Sequence, residues 1–175
     1  MKKVRFSGRF GLLQKYLSGE IVWLLDGVLP SAGRESCRMV GRYAEFGSGE
    51  RWHARFAVGD QVAVMMSYRD AGLSEGLFGS EPGWLDGMKA EARYMPHRFV
   101  VESVACVRAS GIGEDVMLGS GVKRNAGGMY LVGGRVGGVF RDLRDAFAAR
   151  FDAQFREGAW SSDPWVMVYG IKPIM

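Results

Sequence analysis

The sequence predicts an α+β fold: a small, mostly antiparallel β-barrel with packed helices and long glycine-rich loops, all in one domain spanning residues 1–175. Three observations predict it. Short β-favouring apolar runs recur without regular alternation with helices, which argues against a doubly wound parallel sheet. One segment near the C-terminus carries a clear helical repeat, with Leu143, Phe147, Phe151 and Phe155 spaced by four. Glycine is abundant, 26 of 175 residues against five prolines, and it clusters at Gly127-Gly128, Gly133-Gly134 and Gly137-Gly138, where it disfavours regular elements. Apolar residues at 47% and aromatics at 12% suffice for a hydrophobic core and exclude a disordered chain.

The elements follow in order. Ser7 caps a first short helix over Gly8 to Leu17, whose stripe is Phe10, Leu13 and Leu17, and Gly19 stops it. Ile21 to Leu25 reads as a buried strand and Asp26-Gly27 as the turn after it. Residues 30–36 read as a loop, Met39 to Phe46 as a strand and Gly47-Ser48-Gly49 as a turn. Val58-Gly59-Asp60 is a tight turn before a strand from Gln61 to Ser67, apolar on both faces. Residues 70–88 form a long glycine- and aromatic-rich loop with a short helix near Trp84 to Lys89. Phe99 to Val107 is a strand, Gly113 to Leu118 a helical turn, and 119–139 a second glycine-rich loop. The helix of the four-residue repeat has Asp142 in its first turn, where the dipole favours an anion, and Gly158 after it. Pro164 to Tyr169 closes the chain as a strand.

The net charge is +4 and the isoelectric point about 9.2, a mildly basic balance compatible with a polyanionic partner. The basic N-terminus lacks an apolar run behind it, and no stretch approaches a membrane span, so no signal peptide, no membrane association and a cytoplasmic location are expected. Cys37 and Cys106 form no C-x-x-C pair and read as reduced thiols, with a disulfide left open.

The candidate contacts for nucleic acid are basic residues interleaved with an aromatic, Lys89, Arg93, Tyr94, His97 and Arg98, together with Lys123 and Arg124 in the second glycine-rich loop. Bases stack on such aromatics while cations pair with phosphates; the competing reading is a strand start with solvated charges. His53 and His97, even with the two cysteines, lack metal-ligand spacing, so no metal and no cofactor are expected. Gly119 to Arg124 has neither the phosphate-loop nor the dinucleotide pattern. Trp160 and Trp165 are expected to close the barrel against the 143–155 helix rather than to stack bases, and Glu102 to face solvent.

Three segments together carry a resemblance: Phe56-Ala57-Val58-Gly59-Asp60 through Ser67-Tyr68-Arg69-Asp70-Ala71-Gly72; Met95-Pro96-His97-Arg98-Phe99; and Trp160-Ser161-Ser162-Asp163-Pro164-Trp165-Val166-Met167-Val168-Tyr169. In order and spacing the chain resembles phage- and prophage-associated ASCH-like proteins of the PUA-like superfamily, of the type common in Bacteroides-type bacteria. The resemblance covers the chain from about residue 56 and, more weakly, its first 25 residues. It implies a PUA/ASCH-like barrel and a ligand that is RNA, single-stranded nucleic acid or a modified nucleotide. Members acting as amidohydrolases carry a G-R-K-T-x-T-x-R stretch after the first helix, whose lysine and threonine are catalytic. Here that place reads Gly19-Glu20-Ile21-Val22-Trp23-Leu24-Leu25-Asp26, with Ile21 for the lysine and Leu24 for the second threonine. Isoleucine supplies neither base, nucleophile nor cation, so no catalytic residue is assigned. The expected function is a non-catalytic binding domain. A diverged hydrolase of modified nucleosides and a phage-derived protein-interaction module are the alternatives.

Overall fold

The computed structural model describes residues 1–4, 22–87, 89–133 and 137–174. The expected first helix and Ile21 lie outside them. The fold is α+β, and its strands are mostly antiparallel. The main sheet has five strands in the order β1 (Lys2–Val4), β6 (Gln61–Val64), β7 (Arg98–Arg108), β11 (Trp165–Ile174), β2 (Val22–Leu29), curled into a half-barrel. Among the described residues only β1 pairs in parallel, with Lys2 opposite Val62 and Val4 opposite Val64. The long central pair runs antiparallel from Trp165 opposite Arg108 to Ile174 opposite Arg98.

Two small antiparallel sheets pack on this frame. One is β3 (Cys37–Val40), β4 (Tyr43–Phe46) and β5 (Arg51–His53), set against β7 through β3. The other is β8 (Val122–Arg124), β9 (Tyr130–Val132) and β10 (Gly138–Phe140), set on α3 (Leu143–Gln154). The helix α2 (Glu114–Gly119) lies between β8 and β2, and a single turn, α1 (Glu75–Phe78), completes the helices among the described residues. The main core joins the sheet to α3 through Val166, Val168, Tyr169, Phe147 and Phe151. Asp142 caps α3 rather than lying in its first turn: its carboxylate accepts from the backbone N–H of Arg144 at 2.7 Å and of Asp145 at 3.2 Å. Trp160 packs on Phe147 and Phe151 as expected, whereas Trp165 packs on Phe46 of the hairpin instead.

Several expectations are corrected. Asp26-Gly27 is no turn. The strand runs on to Leu29, and its pairing with β11 skips a residue at Gly27, a β-bulge. Gly27 has φ +67°, and a Cβ there would lie 2.7 Å from Trp52 Cζ2, so the bulge needs glycine twice over. Met39 to Phe46 is not one strand but the β3–β4 hairpin, turned at Gly41-Arg42 with Gly41 at φ +59°. The second glycine-rich loop, 119–139, instead supplies β8, β9 and the start of β10. In the first, the helix is α1 at 75–78, while the described residues of 84–89 are turns.

Candidate nucleic-acid interface

After Val64 the backbone leaves the sheet, and it returns at Arg98. The intervening excursion, 65–97, folds over a second core of Ala63, Met65, Tyr68, Ala90, Ala92 and Met95. Tyr68 organises it. Its N–H donates to Gly83 O at 2.8 Å, and its hydroxyl accepts from the Glu91 N–H at 2.9 Å. Gly83 packs so closely that a Cβ would lie 2.6 Å from the Tyr68 ring and 2.8 Å from Ala90 Cα. The sequence thus needs glycine here for close approach rather than for flexibility.

The excursion presents aromatic rings that are half covered. Tyr94 stands edge-on to Phe78 at 5.0 Å and to Tyr68 at 5.9 Å, and Trp84 packs on the same core. Phe78, Trp84 and Tyr94 are all partly exposed. The Arg93 guanidinium lies over the Tyr94 ring at 4.7 Å and pairs with Glu91 at 2.9 Å. Arg98 donates to the Arg93 carbonyl at 3.4 Å. His97 is half-buried, and its carbonyl accepts from the Val64 N–H. Lys89 is exposed in a turn.

The structure places Lys89, Arg93, Tyr94 and His97 on the excursion and Arg98 at the first residue of β7, directly after it. It does not bring Lys123 and Arg124 into the excursion. Both are exposed on β8, in the small sheet that packs on α2 and α3, and Arg124 lies over Tyr130 at 5.8 Å. Sequence reasoning missed Tyr68, Phe78 and Trp84 as companions of Tyr94. Their signal was the aromatic content of a segment read as loop.

Charge is distributed differently from the expected pattern. Residues 69–98 carry Arg69, Lys89, Arg93 and Arg98 against Asp70, Glu75, Glu81, Asp86 and Glu91, so the platform is close to neutral. The whole +4 excess falls in residues 1–21, which hold Lys2, Lys3, Arg5, Arg9 and Lys15 against Glu20; the rest of the chain balances. β1 ends at Val4 opposite Val64, where the excursion departs.

Elsewhere, a cavity of about 450 Å³ opens beside β3 and β4, lined by Ser36, Cys37, Arg38, Glu45, Phe46, Gly47 and Gly49. Glu45 accepts from Arg38 at 2.7 Å and Arg51 at 3.0 Å, and these two bonds hold its carboxyl below the usual range. Glu102 is exposed and 3.8 Å from Lys172. Leu24 is buried in β2. Among the described residues no group of three or more His, Cys, Asp and Glu could hold a metal ion, and no helix is long and apolar enough to cross a membrane. No family model, curated protein or solved structure matches the chain.

Proposed function

We propose that this chain is a non-catalytic, PUA/ASCH-like binding domain whose ligand is RNA or another single-stranded nucleic acid. The observation that carries the reading is the aromatic platform of Phe78, Trp84 and Tyr94 with Arg93 stacked on its rim; the +4 net charge of the chain adds to it. Partly covered rings accept bases face-on irrespective of sequence, and flanking cations track the phosphates. The buried Leu24 supports a binding rather than a hydrolytic role.

The test is fluorescence anisotropy with labelled single-stranded RNA, single-stranded DNA and duplex at two salt concentrations. Micromolar or tighter binding to single strands, weaker at high salt, is expected. Tyr94→Ala removes a stacking surface worth about 1–3 kcal/mol per base and should weaken binding roughly tenfold or more. Absence of binding at low salt would overturn the reading. It would favour the protein-interaction alternative, for which Leu77 and Leu85, 77% and 68% exposed on the same excursion, are the supporting observation.

A further inference from the structure

The small sheet β3–β4–β5 turns one face to the main core and the other to solvent, and strand alternation sorts its residues between them. Ala44, Phe46 and Trp52 pack on the core, while Arg38, Val40, Tyr43, Glu45, Arg51 and His53 face outward. The register sets the outward residues in rows across the strands. Val40, Tyr43 and His53 form one row, with the Tyr43 and His53 rings edge-on at 5.1 Å. Two residues along β4, about 6.5 Å by strand rise, Arg38, Glu45 and Arg51 form the next. Past that row lies the cavity of about 450 Å³, lined by Arg38 and Glu45 together with Ser36, Gly47 and Gly49.

The charge of this face decides what it fits. Arg38 donates to Glu45 Oε2 through Nε at 3.0 Å and Nη2 at 2.7 Å. Arg51 donates to Oε1 of the same carboxylate through Nε at 3.2 Å and Nη2 at 3.0 Å. Asp60 likewise accepts from both Arg42, in the β3–β4 turn, and Lys2. At each place two cations share one carboxylate, so a positive charge is left over. Arg38 and Arg51 are 77% and 60% exposed, and each fork on Glu45 leaves the Nη1 amino group of its guanidinium for another acceptor. Glu45 also holds the two guanidinium groups in place before a ligand arrives, which reduces the ordering cost of binding. Arg51 lies over the exposed Tyr43 ring at 6.0 Å. We propose that the outer face of β3–β4–β5 is a second contact for a single-stranded nucleic acid, with one base stacked on Tyr43, its phosphate on the Arg38–Arg51 pair and the next nucleotide at the cavity. The inference rests on the nucleic-acid reading and adds to it a phosphate clamp, which the near-neutral excursion lacks. A run of acidic side chains would engage the guanidinium row alone, whereas a single strand engages all three features.

The experiment photo-crosslinks the full chain to a single-stranded RNA carrying thiouridine and maps the linked peptides by mass spectrometry, beside anisotropy titrations of the same RNA over a range of salt. A link at Tyr43 or His53 that excess unlabelled RNA abolishes is the expected result, and it requires no variant to fold. Arg38→Gln combined with Arg51→Gln should lower the salt slope by about 0.7, the share of one phosphate. Tyr43→Ala should weaken binding roughly fivefold or more and leave the slope unchanged. Links confined to residues 65–97, with both variants binding as the wild type does, overturn this inference and leave the single-strand reading standing. Absence of binding by the wild type at low salt overturns both. Poly-glutamate that binds as tightly as the RNA, and no longer does so in the double arginine variant, would give the face to an acidic protein partner and overturn the inference as well.

Discussion

Asp60 ties three parts of the chain together with one carboxylate. It accepts from Lys2 Nζ at 2.6 Å, from the Ala57 N–H at 2.7 Å and from Arg42 at 3.1 Å. Burial alone would raise its pKa, but the bonds from Lys2 and Ala57, with the charges of Lys2 and Arg42, outweigh burial and hold it below the usual carboxylate range. A folded-state pKa below the unfolded one contributes stability that is present above the unfolded value and lost as pH falls through the folded value. Asp60→Asn is therefore expected to lower stability by about 1–3 kcal/mol at neutral pH, read by urea denaturation. The gap to wild type should narrow as the medium is acidified through the carboxylate range; a constant gap would mean that the charge is not what matters. The Val58-Gly59-Asp60 turn was legible in the sequence, but the use of its aspartate was not, because Lys2 and Arg42 reach it only through the pairing of β1 with β6 and the placing of the hairpin. The same limit hid Arg150. It reads as a polar neighbour of the Phe147–Phe151 stripe, yet it is buried and donates through Nε to Ser120 O at 2.6 Å. Only the docking of α3 on α2 supplies that acceptor.

At the level of elements, the sequence was read well wherever a hydrophobic pattern runs long and poorly wherever short strands stabilise one another. α3 and β7 were legible because repeated apolar positions define them independently of partners. The strands β8, β9 and β10 have three residues each, too few for a pattern, and exist through their mutual ladder and their seat on α3. Glycine misled twice for opposite reasons. At Gly41 the β-favouring residues on either side concealed a two-residue turn; at Gly27 an apparent Asp-Gly turn proved to be a bulge in a continuing strand. The bulge lends itself to a direct measurement. Gly27→Ala places a methyl group in left-handed backbone and against the Trp52 ring. Left-handed backbone costs an L-residue roughly 1–2 kcal/mol, and overpacking adds about 1–3 kcal/mol. The variant should lose about 2–5 kcal/mol in chemical denaturation, and part of that loss should return when Trp52→Leu relieves the contact. A neutral Gly27→Ala would show that β2 and β11 pair without the bulge.

For the whole molecule, the question is how a chain that balances its charge outside residues 1–21 would hold a polyanion. The candidate cations were legible as residue types next to an aromatic, but their division was not: Lys89, Arg93 and His97 lie on the excursion, Arg98 opens β7, and Lys123 and Arg124 lie on β8, and only topology separates them. The remaining cations in excess belong to residues 1–21, of which β1 pairs with β6. Two separable contributions to binding are then expected. Cations displace counterions from a single strand, with a salt slope of about 0.7 per neutralised phosphate, whereas stacking on a ring is nearly indifferent to salt. Replacing Arg5, Arg9 and Lys15 together by glutamine should flatten the dependence of log affinity on log salt by about 2 if each meets one phosphate. Tyr94→Ala should lower affinity at every salt concentration and leave the slope unchanged. A triple variant with the wild-type slope would separate the N-terminal charge from binding altogether, and a Tyr94→Ala variant that altered only the slope would remove the platform from the ligand's path.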